Sequence, residues 1–408
     1  MGRTGALKGN LVVGQAGGPT AVINSSLAGV IQEARRHQAI AGIYGAAHGI
    51  EGVLKEEFYD LGREPLATVK GLRRTPSAIL GSCRRKLTAA DYERVLNVFR
   101  AHNVRYFIYI GGNDSADTAH QVSALARDQG YELRVMGVPK TIDNDLPFMD
   151  HTPGYGSAAR FLAVATMDAG RDSEAMRTVD KVKILEVMGR NAGWLAAATA
   201  LGRRTLGDAP HLIYFPEKPL VEEHFLSDIS AVYRDHGYAV AVVATGVRGQ
   251  SGQELVATGG AMFTDSFGHR QLGGVGQYLT QLVVDNLGVK ARYEKPGSIQ
   301  RMFISCVSSV DAREAFLVGK MAVRRAVQGG DDAMVTILRE PGTEYRISIG
   351  QCPLSAIANA ERRMPPEYIN ETGNHVTAGF VSYALPLIGE PLPEYVRLGG
   401  WRVPKRLA

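Results

Sequence analysis

Short, nearly uninterrupted apolar runs, each ending in a glycine-bearing turn before a helix-patterned segment, constrain this chain more than any other feature. Leu11–Gly14 leads into such a turn. Thr20–Arg36 then carries apolar residues at Val22, Ile23, Leu27, Val30 and Ile31, the spacing of one helix face. The unit recurs: Tyr106–Ile110 reads as a strand, Gly111–Ser115 as a turn and Ala116–Asp128 as a helix. Leu133–Val138, Lys181–Met188 and Ala239–Thr245 are further runs of strand length. Strands apolar at nearly every position are buried on both faces, and their alternation with helices implies βαβ units. The predicted fold class is therefore α/β, with largely parallel sheets flanked by helices. At 408 residues the chain is long enough for two or three domains with cores that need no disulfide.

Composition removes several classes of function. The 47 glycines follow no collagen period and cluster at a few points, which suggests turns where backbone approaches a ligand. The formal charge of +5 comes from 46 basic and 41 acidic residues without a dense basic stripe. That balance argues against a nucleic-acid partner and fits anionic small substrates. Cys83, Cys306 and Cys352 give neither a disulfide framework nor a zinc pattern, so a reducing, cytoplasmic compartment is expected. The opening residues, MGRTGALKGN, lack a signal-peptide core. No stretch approaches roughly 18 apolar residues, so no membrane span is expected.

In open parallel sheets, ligands bind beyond the carboxyl ends of the strands, and the turns there carry the unusual residues. Gly14–Thr20, GQAGGPT, joins a strand to a helix; its glycines can turn backbone N–H groups toward an anion, although a plain connection would use them too. No Walker A or GxGxxG signature occurs. Gly111–Ser115, GGNDS, offers Asn113 and Asp114 as oxygen ligands for a hard cation, or Asp114 or Ser115 as a helix cap. Pro139–Pro147, PKTIDNDLP, sets two aspartates after a lysine and a threonine. One carboxylate can take a proton from an alcohol while the other orients a metal; a solvated turn would look the same. Arg190, in Glu186–Ala196, stands at a strand end as a candidate fork for phosphate, with Trp194 beside it reading as core. Arg292–Arg301 places two arginines around a Pro-Gly turn, and Arg84, Arg85 and Lys86 join Arg73 and Arg74 in a basic cluster. Together these residues supply what phosphoryl transfer requires: positioning, charge neutralisation and an oriented nucleophile.

Taken in order, GGPT, LGSCR (Leu80–Arg84), GGNDS, PKTIDND, MGRNAGW, FPE (Phe215–Glu217) and Arg292–Arg301 resemble the phosphofructokinase family from about Asn10 to Arg301. Similarity weakens through Ala315–Val327. The pyrophosphate-dependent branch is the nearer match. ATP-dependent relatives carry Gly where this chain has Asp114 and Lys140. Asp114 adds bulk and charge where a nucleotide's α-phosphate would lie, and Lys140 supplies a cation to the shorter diphosphate.

The resemblance implies a two-domain, phosphofructokinase-like fold. A phosphoryl-donor domain would comprise residues 1–154 and about 301–353. A sugar-phosphate domain would comprise 155–300 and about 354–408, the last part an extension without a readable motif. It implies Mg²⁺-dependent, reversible transfer from pyrophosphate to the 1-hydroxyl of fructose 6-phosphate. Asp143 would be the base, Asp145 would position the metal or attacking group, and Lys140 and Asp114 would complete the catalytic set. Gly17, Gly18 and Arg84 would hold the diphosphate. Thr141, Asp143, Met188, Gly189, Arg190, Thr245, Arg292, Tyr293 and Arg301 would hold the sugar phosphate, and Asn113 and Asp114 the metal. A neighbouring subunit supplies part of the phosphate site in the family, so a homodimer or larger assembly is expected.

Two positions depart from the family. Asn113 replaces a metal-binding aspartate with a weaker carbonyl ligand. Thr245 replaces a glutamate that touches the sugar, which leaves room for sedoheptulose 7-phosphate as a further acceptor. An ATP-dependent enzyme and a silent regulatory subunit are the alternatives.

Overall fold

The computed structural model describes residues 7–255 and 274–407; the first six residues, read above for a leader, lie outside them. Two sheets form among the described residues. The first is built from β1 (Gly9–Gln15), β2 (Ile40–Ala46), β3 (Phe58–Asp60), β4 (Val104–Gly111) and β5 (Arg134–Pro139). It is completed late in the chain by β10 (Ala333–Arg339) and β11 (Ile347–Pro353). The second sheet holds β6 (Val182–Val187), β7 (Leu212–Tyr214), β8 (Ala239–Ala244) and β9 (Ala291–Glu294).

The first sheet runs β11-β10-β5-β4-β1-β2-β3; only its edge strands β3 and β11 pair antiparallel. The second runs β7-β8-β6-β9 and is parallel throughout. The sequence pattern explains the layering. Leu11, Val13, Tyr106, Ile108 and Ile110 point to one face, against Ile23, Leu27 and Ile31 of the helix Ile23–Ala34 and Val318 and Val323 of the helix Ser309–Val327. Val12, Phe107 and Tyr109 alternate to the other face, against Val95 and Phe99 of the helix Ala89–Ala101 and Ala119 and Val122 of the helix Asn113–Asp128. Period-two alternation with both sets apolar is the signature of a sheet covered on both sides.

From β1 the chain steps to β2 on one side and later to β4 on the other, so the turns after β1 and β4 diverge at a topological switch point. Two local expectations shift. The helix predicted from Thr20 begins at Ile23, because the preceding backbone is tied down by Ala21 N–H donating to the Arg301 carbonyl at 2.8 Å. The helix after β4 begins at Asn113, with Gly112 rather than Asp114 or Ser115 at its cap. Among the described residues no helix is long and apolar enough to cross a membrane, and the three cysteines are free thiols.

Candidate active site

The turns beyond β1, β4 and β5 meet those beyond β6, β8 and β9 around a cavity of about 710 Å³. Its lining brings together Gly17, Gly18, Arg84, Asn113, Asp114, Lys140, Thr141, Asp143, Asp145, Met188, Gly189, Arg190, Thr245 and Arg301. Arg292 and Tyr293 are not among the lining residues.

One wall is a cradle of cations over glycine backbone. Gly17 has φ +75°, and a Cβ there would lie 3.0 Å from Lys140 Nζ; one on Gly18 would lie 2.9 Å from Arg301 Nη1. Only glycine leaves this surface bare. Lys140 Nζ donates to the Gly18 carbonyl at 2.9 Å. Burial pulls the Lys140 pKa down to about 8; Asp143 opposes the shift, and Arg301 and Arg84 add to it. Burial and the Arg84 charge likewise lower Arg301, whose buried Nε has no hydrogen-bond partner among the described residues. Cations that raise one another's energy in a buried wall can be relieved by an anion with several charges. The helix Asn113–Asp128 adds its amino terminus, with Asp114 in the first turn. The Asn113 side-chain carbonyl is already engaged, accepting from Asp114 N–H at 2.9 Å.

The loop that carries both aspartates continues directly from Lys140. Thr141 Oγ1 accepts from Asp143 N–H at 3.0 Å. Asn144 sits between the aspartates with φ +55°, its buried side chain donating to Tyr383 Oη at 2.9 Å and accepting from Thr152 N–H at 3.1 Å. Asparagine tolerates this left-handed backbone better than most residues. Burial raises the Asp143 pKa, against the pull of Lys140 and Arg190. Burial and the neighbouring Asp143 charge raise Asp145.

The register of β9 accounts for the two residues left out. Arg292 pairs with Lys183 and Tyr293 with Ile184, several residues upstream of the Met188 turn. At about 3.3 Å per residue this leaves Arg292 well over 10 Å short of the strand's cavity end. Its guanidinium pairs with Asp180 at 2.5 Å and stays about half exposed (52%). Tyr293 Oη donates to the buried Glu186 at 3.0 Å. Lys295, just past β9, does reach the cavity, as do Gly297, Ser298 and Arg301 further along, and its Nζ lies 2.6 Å from Glu186. Glu361 also lines the cavity, from the segment that carried no readable motif. The rule that ligands sit beyond strand ends could have found Lys295; no sequence signal marks Glu361.

The phosphofructokinase family profile matches residues 10–325. The chain is 43% identical, over 98% of its own length and 98% of the relative's, to pyrophosphate–fructose 6-phosphate 1-phosphotransferase of Xanthomonas campestris pv. campestris. It is 34% identical to sulfofructose kinase of Alkalicoccus urumqiensis, over 88% of this chain and 92% of that one. The crystal structure of a pyrophosphate-dependent phosphofructokinase from Marinobacter aquaeolei superposes with a TM-score of 0.85 at 40% identity, covering 98% of each chain.

Proposed function

The chain belongs to the phosphofructokinase family, and from that premise we propose that it moves one phosphoryl group from pyrophosphate to the 1-hydroxyl of fructose 6-phosphate. The observation that carries this reading is the cation wall: Lys140, Arg84 and Arg301 gather over the bare Gly17–Gly18 backbone, with Asp114 beside them. Three cations suit a compact diphosphate, and Asp114 opposes a longer nucleotide chain by charge and bulk.

The Asp143 carboxylate accepts the proton of the sugar 1-hydroxyl, with Asp145 directing that hydroxyl. The freed oxygen attacks the nearer phosphorus, the bond from that phosphorus to the bridging oxygen breaks, and inorganic phosphate leaves. Lys140, Arg84 and Arg301 neutralise charge on the transferred group. Thr141, Met188, Gly189 and Arg190 hold the acceptor on its own side. Splitting pyrophosphate releases less free energy than splitting ATP, so the transfer runs in both directions.

The donor set fits Mg²⁺ in a substrate-bound form. Among the described residues no three of His, Cys, Asp or Glu cluster as a metal cage would require. Mg²⁺ accepts one or two carboxylates and completes its octahedron with phosphate oxygens and water. Asp114 would hold it, and Asn113 contributes less because its carbonyl serves the Asp114 amide. When bound, the ion supplies neutralising charge to the diphosphate. The free thiols support a reducing, cytoplasmic setting. The two domains follow the division at about residues 154, 300 and 353, supported by β6–β9 interrupting the first sheet. Thr245 on the cavity wall leaves space for sedoheptulose 7-phosphate as a second acceptor.

The test is a paired assay with Mg²⁺ and fructose 6-phosphate, given pyrophosphate in one cell and ATP in another. Bisphosphate formation with pyrophosphate alone is expected. Turnover with ATP alone would sink the donor assignment. A parallel cell with sedoheptulose 7-phosphate should show turnover, and none there while fructose 6-phosphate reacts would remove the second acceptor.

A further inference from the structure

Two consecutive residues beyond the last strand each hold a different wall of the cavity. The Glu361 carboxylate accepts from Asn191 Nδ2 at 3.0 and 2.8 Å, on the turn that also carries Met188, Gly189 and Arg190. Arg362 holds the loop of the two aspartates. Its backbone N–H donates to the Asp145 carbonyl at 2.6 Å. Its Nη1 donates to the carbonyls of Met149 at 2.6 Å and Asp150 at 2.7 Å, and its Nη2 to that of Asn144 at 2.8 Å. The guanidinium lies 4.7 Å from the centre of the Trp194 ring. The same strap continues: Met364 N–H and Gly193 N–H both donate to Glu217 Oε1, at 3.1 and 2.9 Å.

Loops have soft backbones, and here one loop grows from each sheet. Among the described residues no strand pairs one sheet with the other. Adjacent Cα atoms are about 3.8 Å apart across a rigid peptide, so Glu361 and Arg362 tie the two tips to one short, stiff link. We propose that Glu361–Arg362 is a clasp that sets the distance between the acceptor-holding turn and the loop of the proposed base, making both of them positioning residues. The inference rests on the reading of Asp143 and Met188–Arg190 given above. Reacting atoms must be held near 3 Å, and a misplacement of about 1 Å costs on the order of 10²-fold in rate.

A clasp differs from two separate bonds because loosening one end frees the other. The deciding experiment is amide hydrogen exchange on the full chain as wild type, E361A, E361Q and R362A, with steady-state kinetics on the same samples. Glu361 is exposed, so E361A should fold even if R362A does not. In E361A, residues 141–152 should exchange faster although Glu361 makes no hydrogen bond to them. The KM for fructose 6-phosphate should rise several-fold more than that for pyrophosphate, and kcat should fall by about 10-fold or more. E361Q retains an acceptor for Asn191 and should stay near wild type. In R362A, kcat should fall about 10²-fold, and E361A/R362A should lose little beyond R362A alone. Unchanged exchange of 141–152 in E361A overturns the clasp, as do independent, multiplying effects of the two substitutions. A wild type inactive with pyrophosphate and fructose 6-phosphate would remove the functional reading, and the exchange data alone would then decide the clasp.

Discussion

Burying an ammonium group beside two guanidinium groups limits the pH range over which it can bind an anion. Lys140 is pulled down to about 8 chiefly by burial, with Arg301 and Arg84 adding to the shift and Asp143 and Asp145 resisting it. The cationic form is the one proposed to serve pyrophosphate, and raising the pH removes it. The kcat/KM for pyrophosphate, which reports the free enzyme, should therefore fall above about pH 8, approaching tenfold per unit. K140R keeps its charge throughout this range, so its profile should lose that limb while its plateau drops from altered geometry. An alkaline limb that survives unchanged in K140R would assign it to another group. On the proposed function the same side chain bears on donor choice. D114G/K140G removes both the carboxylate proposed to exclude ATP and the ammonium proposed to attract the diphosphate. Turnover with pyrophosphate should fall by at least about 10²-fold, and activity with ATP should appear or grow. Equal losses with both donors would show that these residues do not select between them.

At the scale of elements, the loop after β5 keeps its shape through Asn144. Alanine keeps the Cβ in the left-handed region without asparagine's tolerance of it, and deletes two buried hydrogen bonds, together costing about 2–4 kcal/mol. N144A should melt several degrees lower and turn over more than tenfold slower. N144G relieves the backbone but not the lost bonds, so it should recover only part of both. Full recovery in N144G would make the backbone alone responsible. This loop was half legible in the sequence. PKTIDND announces charged residues after a strand, while the partners of Asn144, at Thr152 and Tyr383, are separated from it by 8 and 239 positions. The strands β1, β4, β5, β6 and β8 are legible because burial on both faces writes a nearly uninterrupted apolar run. β3, β7 and β9 span three or four residues and are too short to show a period. Glu361 and Arg362 act on a side-chain amide and on backbone carbonyls, which any sequence supplies, so nothing in the composition around them marks their role. Arg292 and Lys295 are neighbours in a basic stretch, and only the register of β9 separates the one that reaches this chain's cavity from the one that does not.

At the scale of the whole molecule, the cavity is walled by two sheets yet leaves Arg292 outside. Ile299 and Phe303, flanking the cavity-lining Arg301, remain 55% and 43% exposed. A half-exposed arginine and an apolar margin on one short segment fit a surface that a second copy of the chain covers. Arg292 would then bind sugar phosphate in the neighbour's cavity rather than its own. A mixing experiment separates the two arrangements. D143N removes the proposed base, and R292M removes the proposed phosphate contact; homodimers of either should be nearly inactive. In a mixed dimer, one cavity combines the intact Asp143 of one chain with the intact Arg292 of the other. Co-expression in equal amounts with random pairing should therefore restore about a quarter of wild-type sites, the limit set by two-fold symmetry. If Arg292 served its own chain, no pairing would assemble an intact cavity, and the mixture would stay as inactive as its parents. Activity that appears on mixing and disappears on dilution to monomers would place the completed site at the contact between chains.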